Sequence, residues 1–272
     1  MKLNKRNSRV DSKSRKKDLT KVHMHNKSYA HKESKFYIAG RNSVIEAVRT
    51  NNVKKVFIKR SGDARLLAIV EEIKKRSVSI IETEEEFLNT LVSDVKHQGI
   101  VAVLKPFKYA ELNVIIENCF NDSPLLLLLD GIEDVRNLGA IVRTAECAGI
   151  QAVLLPANKG TEVTASAMKT AAGAFSTMPV CKIGNVRQTL ESLKKKGFWI
   201  VGADMAGSDL YYDANLKGPL VIVMGAEGKG LSRLTKETCD FLVRIPMKGK
   251  ISSLNVSVAA GLLLYEAIRQ RS

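Results

Sequence analysis

"PLLLLLDGIEDVRNLGAIVRTAECAGIQAVLL", residues 124–155, decides the fold class. Five consecutive leucines leave no polar face, so a strand there must be covered on both sides. Asp130-Gly131 stops it, and from Leu138 to Ala148 the apolar positions return with a helical period. After Gly149 a second apolar run, Ala152–Leu155, reads as another strand. Strand, helix and covered strand in that order predict a parallel βαβ unit.

The alternation continues toward the end of the chain. Strands are expected at Thr177–Val180, Phe198–Ala203, Leu220–Met224 and Phe241–Arg244. Helices are expected at Glu162–Ala172, Val186–Lys196, Leu231–Thr238 and Val256–Ala267. Such a sheet binds ligands beyond the carboxyl ends of its strands, which directs attention to the loops after Leu129, Met224 and Ile245. Upstream, a smaller α/β unit is expected over 36–104, with strands at Val56–Lys59, Val78–Glu82 and Ile100–Leu104 and helices at Ala64–Arg76 and Glu84–Leu91. Pro106, a short helix around Glu111–Asn118 and the Asn121–Pro124 turn make 105–123 a connector. The last domain is then 124–272.

Of the net charge of +15, residues 1–35 supply +9, from twelve Lys/Arg against three Asp/Glu. A segment so polar cannot bury a core and is expected to be disordered when free. A basic arm of this kind binds nucleic acid through phosphates; the alternative is a solvated tail. His23, His25 and His31 lie there too loosely placed for a metal site. Cys119, Cys147, Cys181 and Cys239 form no CxxC pair and no metal-ligand spacing, which fits a reducing cytoplasm and no structural metal. No apolar run approaches a membrane span, and no apolar leader opens the chain.

Three strand-to-loop stretches carry chemistry. In "DGIEDVRNLGAIVR" (130–143), Asn137 and Gly139 open a helix and Arg143 sits six residues beyond Asn137, where it can face an anion near a helix start. An Asn cap followed by a solvated Arg is the plainer reading. In "VIVMGAEGKGLSRLT" (221–235), the glycines fit neither the phosphate-loop nor the dinucleotide spacing, and no hydroxyl follows Lys229 to meet magnesium. Glu227 there either accepts a hydrogen bond from a ligand or caps the next helix. In "IPMKGKISSLNVSVAA" (245–260), Ser252, Ser253 and Asn255 put more hydrogen-bonding capacity at a helix mouth than a cap needs, which places something polar before it.

Taken together, N-x-G-x-x-x-R at Asn137, Gly139 and Arg143, G-x-E-G-x-G at Gly225–Gly230, and I-P-M followed by S-L-N-V-S-V-A at Ile245–Met247 and Ser253–Ala259 resemble the three motifs of the SpoU/TrmH family in the SPOUT superfamily of RNA methyltransferases. The resemblance covers about 124–268. The 36–104 unit, entered by "FYIAGRNSVIEAVR", resembles the family's ribosomal-protein-like substrate-binding domain. The layout is most similar to bacterial 23S rRNA guanosine-2′-O-methyltransferases, and the basic tail departs from it.

The resemblance implies a C-terminal trefoil-knotted parallel-sheet domain, a homodimer in the cytoplasm, S-adenosylmethionine as donor and no metal. It places the donor on Gly225, Ile245 and Leu254, with Ala203, Met224 and Met247 beside them. It assigns Arg143 to the reacting ribose, as proton acceptor helped by the substrate phosphate; because guanidinium pKa values exceed about 12, orienting phosphate and ribose is the physically easier role. Asn137 would position Arg143 or the ribose, Glu227 would hold the dimeric site, and Ser253 and Asn255 would complete its polar wall. A tRNA 2′-O-methyltransferase and a non-catalytic RNA-binding assembly factor are the alternatives; a nucleotide-dependent enzyme is disfavoured by the glycine spacings.

Overall fold

The computed structural model describes residues 36–60, 63–92, 95–119, 123–158 and 160–272. The basic tail 1–35, with its three histidines, lies outside the described residues. Two compact units are present, the first ending at Pro106 and the second spanning Phe107–Ser272.

In the first unit, β1 (Tyr37–Ala39), α1 (Arg41–Arg49), β2 (Val53–Lys59), α2 (Ala64–Lys74), β3 (Ser79–Thr83), α3 (Glu85–Leu91) and β4 (Ile100–Leu104) follow one another. The sheet order is β1-β4-β2-β3, with β4 antiparallel to both neighbours and β2 parallel to β3. All five residues of β4 are buried, because this central strand is covered on both faces. Phe57 and Phe87 meet edge to face at 5.4 Å within the cluster under α3.

The second unit runs α4 (Leu112–Cys119), β5 (Leu125–Asp130), α5 (Val135–Cys147), β6 (Ala152–Pro156), α6 (Ala165–Thr170), β7 (Val180–Ile183), α7 (Val186–Lys195), β8 (Trp199–Ala203), β9 (Asp209–Leu210), β10 (Leu220–Gly225), α8 (Arg233–Thr238), β11 (Phe241–Arg244) and α9 (Val256–Arg271). Its seven strands lie in the order β7-β6-β5-β10-β8-β11-β9, and all six pairings are parallel. One face is covered by α5, α6 and α9 and the other by α4, α7 and α8. The fold is therefore the doubly covered parallel α/β arrangement that the leucine run predicts.

The stretch 105–123, expected as a connector, contributes to the second unit from Phe107 onward. Ala110 bridges Cys181, and Phe107 and Tyr109 pack on the main core. Two further expectations shift. The strand expected at Thr177–Val180 begins only at Val180, since a 3-10 turn occupies Ala174–Ser176 and Pro179 has no N–H for a ladder. The helix expected from Glu162 starts at Ala165, where the Thr164 hydroxyl accepts from Ala167 N–H.

Candidate donor cleft at the carboxyl ends of the sheet

Helix α5 begins earlier than its apolar pattern suggests. Asp134 is its cap, accepting from Arg136 N–H at 2.8 Å, so Asn137 lies within the first turn and does not start the helix. The correction matters because Asn137 is then buried, with its amide directed at other loops. Gly139 has a packing reason as well. A Cβ there would stand 2.5 Å from the Ala167 carbonyl oxygen and 2.7 Å from Thr170 Cβ. Only glycine lets α5 and α6 approach so closely.

After β10 the chain makes a closed turn. Ala226 N–H donates to Gly230 O at 3.1 Å and Gly230 N–H to Ala226 O at 2.8 Å. A Cβ on Gly225 would fall 2.2 Å from the Gly230 carbonyl carbon, so the two ends of the turn touch. Glu227 sits at its exposed tip and does not cap α8; Ser232 does, through Thr235 N–H.

The third loop ends at Asn255, the cap of α9. Its Oδ1 accepts from the backbone and hydroxyl of Ser257, which fixes the amide's orientation. Its Nδ2 must therefore donate, and it does so to Asn137 Oδ1 at 3.0 Å. Asn137 Nδ2 in turn donates to Glu227 Oε2 at 3.2 Å. A helix cap thus sets the direction of a three-residue relay that ties the three sequence motifs together.

Beside the relay lies a cleft of about 710 Å³, counting its open mouth. Ala203, Met224, Gly225, Ile245, Met247 and Leu254, the six residues given to the donor, all line it, and so do Glu227 and Ser253. Asn137 and Asn255 stand behind its wall through the relay. The cleft also holds residues that motif reasoning missed: Asp204, Met205, Ala226, Val243, Val256 and Ala259. Five of these are small or apolar and indistinguishable in sequence from core. Asp204 carries the one readable signal, an acid directly after a covered strand.

This lining suits S-adenosylmethionine. Met224, Val243, Val256 and Leu254 offer an apolar bed for a purine, while Glu227 places an exposed carboxylate near a ligand that bears a sulfonium and an ammonium. Among the described residues no group of three His, Cys, Asp or Glu side chains could hold a metal.

Arg143 is not part of this cleft. Six residues separate it from Asn137, a net rotation of about 240° on the helix, and its exposed side chain bonds no described residue. The adjacent Thr144 lines a different groove with Tyr211, Val258, Gly261, Leu262 and Tyr265, along the outer face of α9. That face is apolar at i, i+4 and i+7, with Val258 and Tyr265 each 52% exposed. No described helix is long and apolar enough to cross a membrane.

Residues 124–265 match the SpoU rRNA Methylase family, and 37–110 match the family of RNA 2′-O ribose methyltransferase substrate-binding domains. The chain is 44% identical over 241 residues to the 23S rRNA (guanosine-2′-O-)-methyltransferase RlmB of Photobacterium profundum, covering 86% of this chain and 97% of that protein. It is 40% identical over 221 residues to RlmB of Escherichia coli, covering 80% and 91%. The SpoU methyltransferase AviRb from Streptomyces viridochromogenes, solved with its cofactor AdoMet, shares the fold at a TM-score of 0.67, with 23% identity over 87% of this chain and 90% of that one.

Proposed function

The chain belongs to the SpoU rRNA Methylase family, and from that premise we propose that it transfers a methyl group from S-adenosylmethionine to a ribose 2′-OH of 23S rRNA, on a guanosine. The observation that carries the donor assignment is that all six residues given to the donor meet in one cleft. The donor supplies a methyl group already activated on sulfur, so the chain's own task is alignment. Gly225, Ile245 and Leu254 would hold the adenosine end by backbone approach and apolar contact. Ser253 and the exposed oxygen of Glu227 would face the ribose side, with Asn137 and Asn255 keeping Glu227 in place.

Arg143 would orient phosphate and ribose by its planar two-armed donor, and it points away from its own cleft. It reaches a ribose there only from a second copy. This supports a homodimer built on the outer face of α9, where Val258, Leu262 and Tyr265 offer an apolar stripe. The trefoil knot implied by the motifs belongs to the same reading. Its support is that β8 separates β10 from β11, while α9 returns to pack on α5 and β10. The first unit, matching a substrate-binding family, would grip structured RNA.

The test pairs binding with chemistry. Calorimetry should show S-adenosylmethionine binding without RNA, and ribose-methylation mapping in a deletion strain should lose one 23S rRNA guanosine. Arg143→Lys should leave donor affinity unchanged and slow single-turnover methylation by roughly a hundredfold. A methylation lost from tRNA instead would move the target, and a near-normal rate would remove Arg143 from the reaction.

A further inference from the structure

We propose that Asp204 is a positioning residue for donor binding, a carboxylate that holds the 225–230 turn in the form that walls the cleft; the inference rests on the donor assignment above. Asp204 follows β8, and its side chain is only 7% exposed. Three donors converge on it. Lys236 Nζ lies 2.8 Å from Oδ2, Leu231 N–H donates to Oδ2 at 3.4 Å, and Ala206 N–H donates to Oδ1 at 3.0 Å. All three partners are N–H groups, so only a side chain accepting on both arms satisfies them. Burial alone would push this carboxyl up, but the bonds from Lys236 and Ala206 more than reverse that and hold it below the usual carboxylate range.

The contact reaches the cleft through the turn. Gly230 is left-handed at φ +65, and a Cβ on it would stand 2.9 Å from Asp204 Oδ2, so the turn is seated directly on the carboxylate. Because Gly230 touches Gly225 and is doubly bonded to Ala226, whatever fixes Gly230 and Leu231 also fixes Gly225. Behind the turn, α8 is tethered twice on adjacent residues: Lys236 to Asp204, and Thr235 Oγ1 to the buried Asp130 at 2.6 Å. Asp204 therefore acts on the donor through Gly225 and the turn, its oxygens being occupied by the chain itself.

Asp204→Asn tests the idea with little change of shape, since the amide must turn an NH2 toward at least one N–H partner. With the full chain, calorimetry should show the affinity for S-adenosylmethionine weakened about tenfold. The single-turnover rate at saturating donor should stay within about threefold, and affinity for substrate RNA should be retained. Lys236→Met should weaken donor binding in the same direction, and Lys236→Arg should restore most of it. If Asp204→Asn does not fold, Lys236→Met carries the same readout. Wild-type donor affinity in both Asp204→Asn and Lys236→Met would overturn the proposal, as would equal losses of donor and RNA binding, which mark general unfolding. A wild-type chain that bound no S-adenosylmethionine would overturn the donor reading itself.

Discussion

Asn137→Asp turns the relay against itself. The variant keeps shape: one carboxylate oxygen replaces Oδ1 and still accepts from Asn255. The other replaces Nδ2 and faces Glu227 Oε2, to which the amide donated at 3.2 Å. A neutral bond becomes a pair of like charges. Two charges about 4 Å apart interact by roughly 1 kcal/mol in water and about 4 kcal/mol at a screened protein surface. Glu227 is exposed, which selects the lower part of that range, roughly 1–2 kcal/mol. The lost hydrogen bond adds about 1 kcal/mol. The expected deficit at pH 8 is thus about 2–3 kcal/mol, or roughly 5–10 °C in melting temperature for a unit of this size. Repulsion raises the new carboxyl's folded pKa above its unfolded value, so the folded state holds more protons and the variant's stability falls as pH rises. The gap to wild type should therefore shrink by roughly 1–2 kcal/mol between pH 8 and pH 4.5, whereas Asn137→Ala should show a gap indifferent to pH. Thermal melts of the three proteins across that range decide it. Identical pH dependence for the two variants would refute the bonded contact between Asn137 and Glu227.

Gly139→Ala should destabilise by about 1–2 kcal/mol in urea titration, because overpacking against the Ala167 carbonyl outweighs the helix propensity gained. The Glu266 carboxyl is held down to about 2 by hydrogen bonds from Arg269 and then Gln270, against the opposing effect of burial. Its contribution is full above the unfolded value near 4.5 and is lost as pH falls toward 2. Since Arg269 is two-thirds exposed, Glu266→Gln should cost only about 1 kcal/mol at pH 7 and less at pH 3, read from urea midpoints. Removing residues 1–35 should weaken RNA binding and flatten its salt dependence while the methylated nucleotide stays the same, as filter binding and methylation mapping would show.

The parallel sheet was legible because its central strands are apolar on both faces: Leu125–Leu129 and Leu220–Met224 admit no other placement. The edges were not. β9 has two residues, Asp209 and Leu210, too few for a period, and β7 was anticipated three residues early because Met178 and Pro179 continue its apolar look. At the cleft, the residues to which the motifs give a role were found, and their apolar neighbours inside and between the motifs were missed. Val243, Val256 and Ala259 look like core because they are core on their other side. The relay was invisible for a different reason. Asn137 and Asn255 are 118 residues apart, and only the cap bond to Ser257 shows which way each amide must point.

The pairing of β5 with β10 also fixes when the molecule can close. Leu125 meets Leu220, a partner made about 95 residues later, while β6 lies only one short helix away. A ribosome adding roughly 5–20 residues per second therefore carries β5, β6 and β7 for on the order of 5–20 s with the five-leucine edge unpaired. During that interval the nascent chain presents a hydrophobic strand edge to its surroundings, a template for wrong partners. The same apolar run that makes the finished sheet unambiguous makes its synthesis the period of greatest exposure to aggregation.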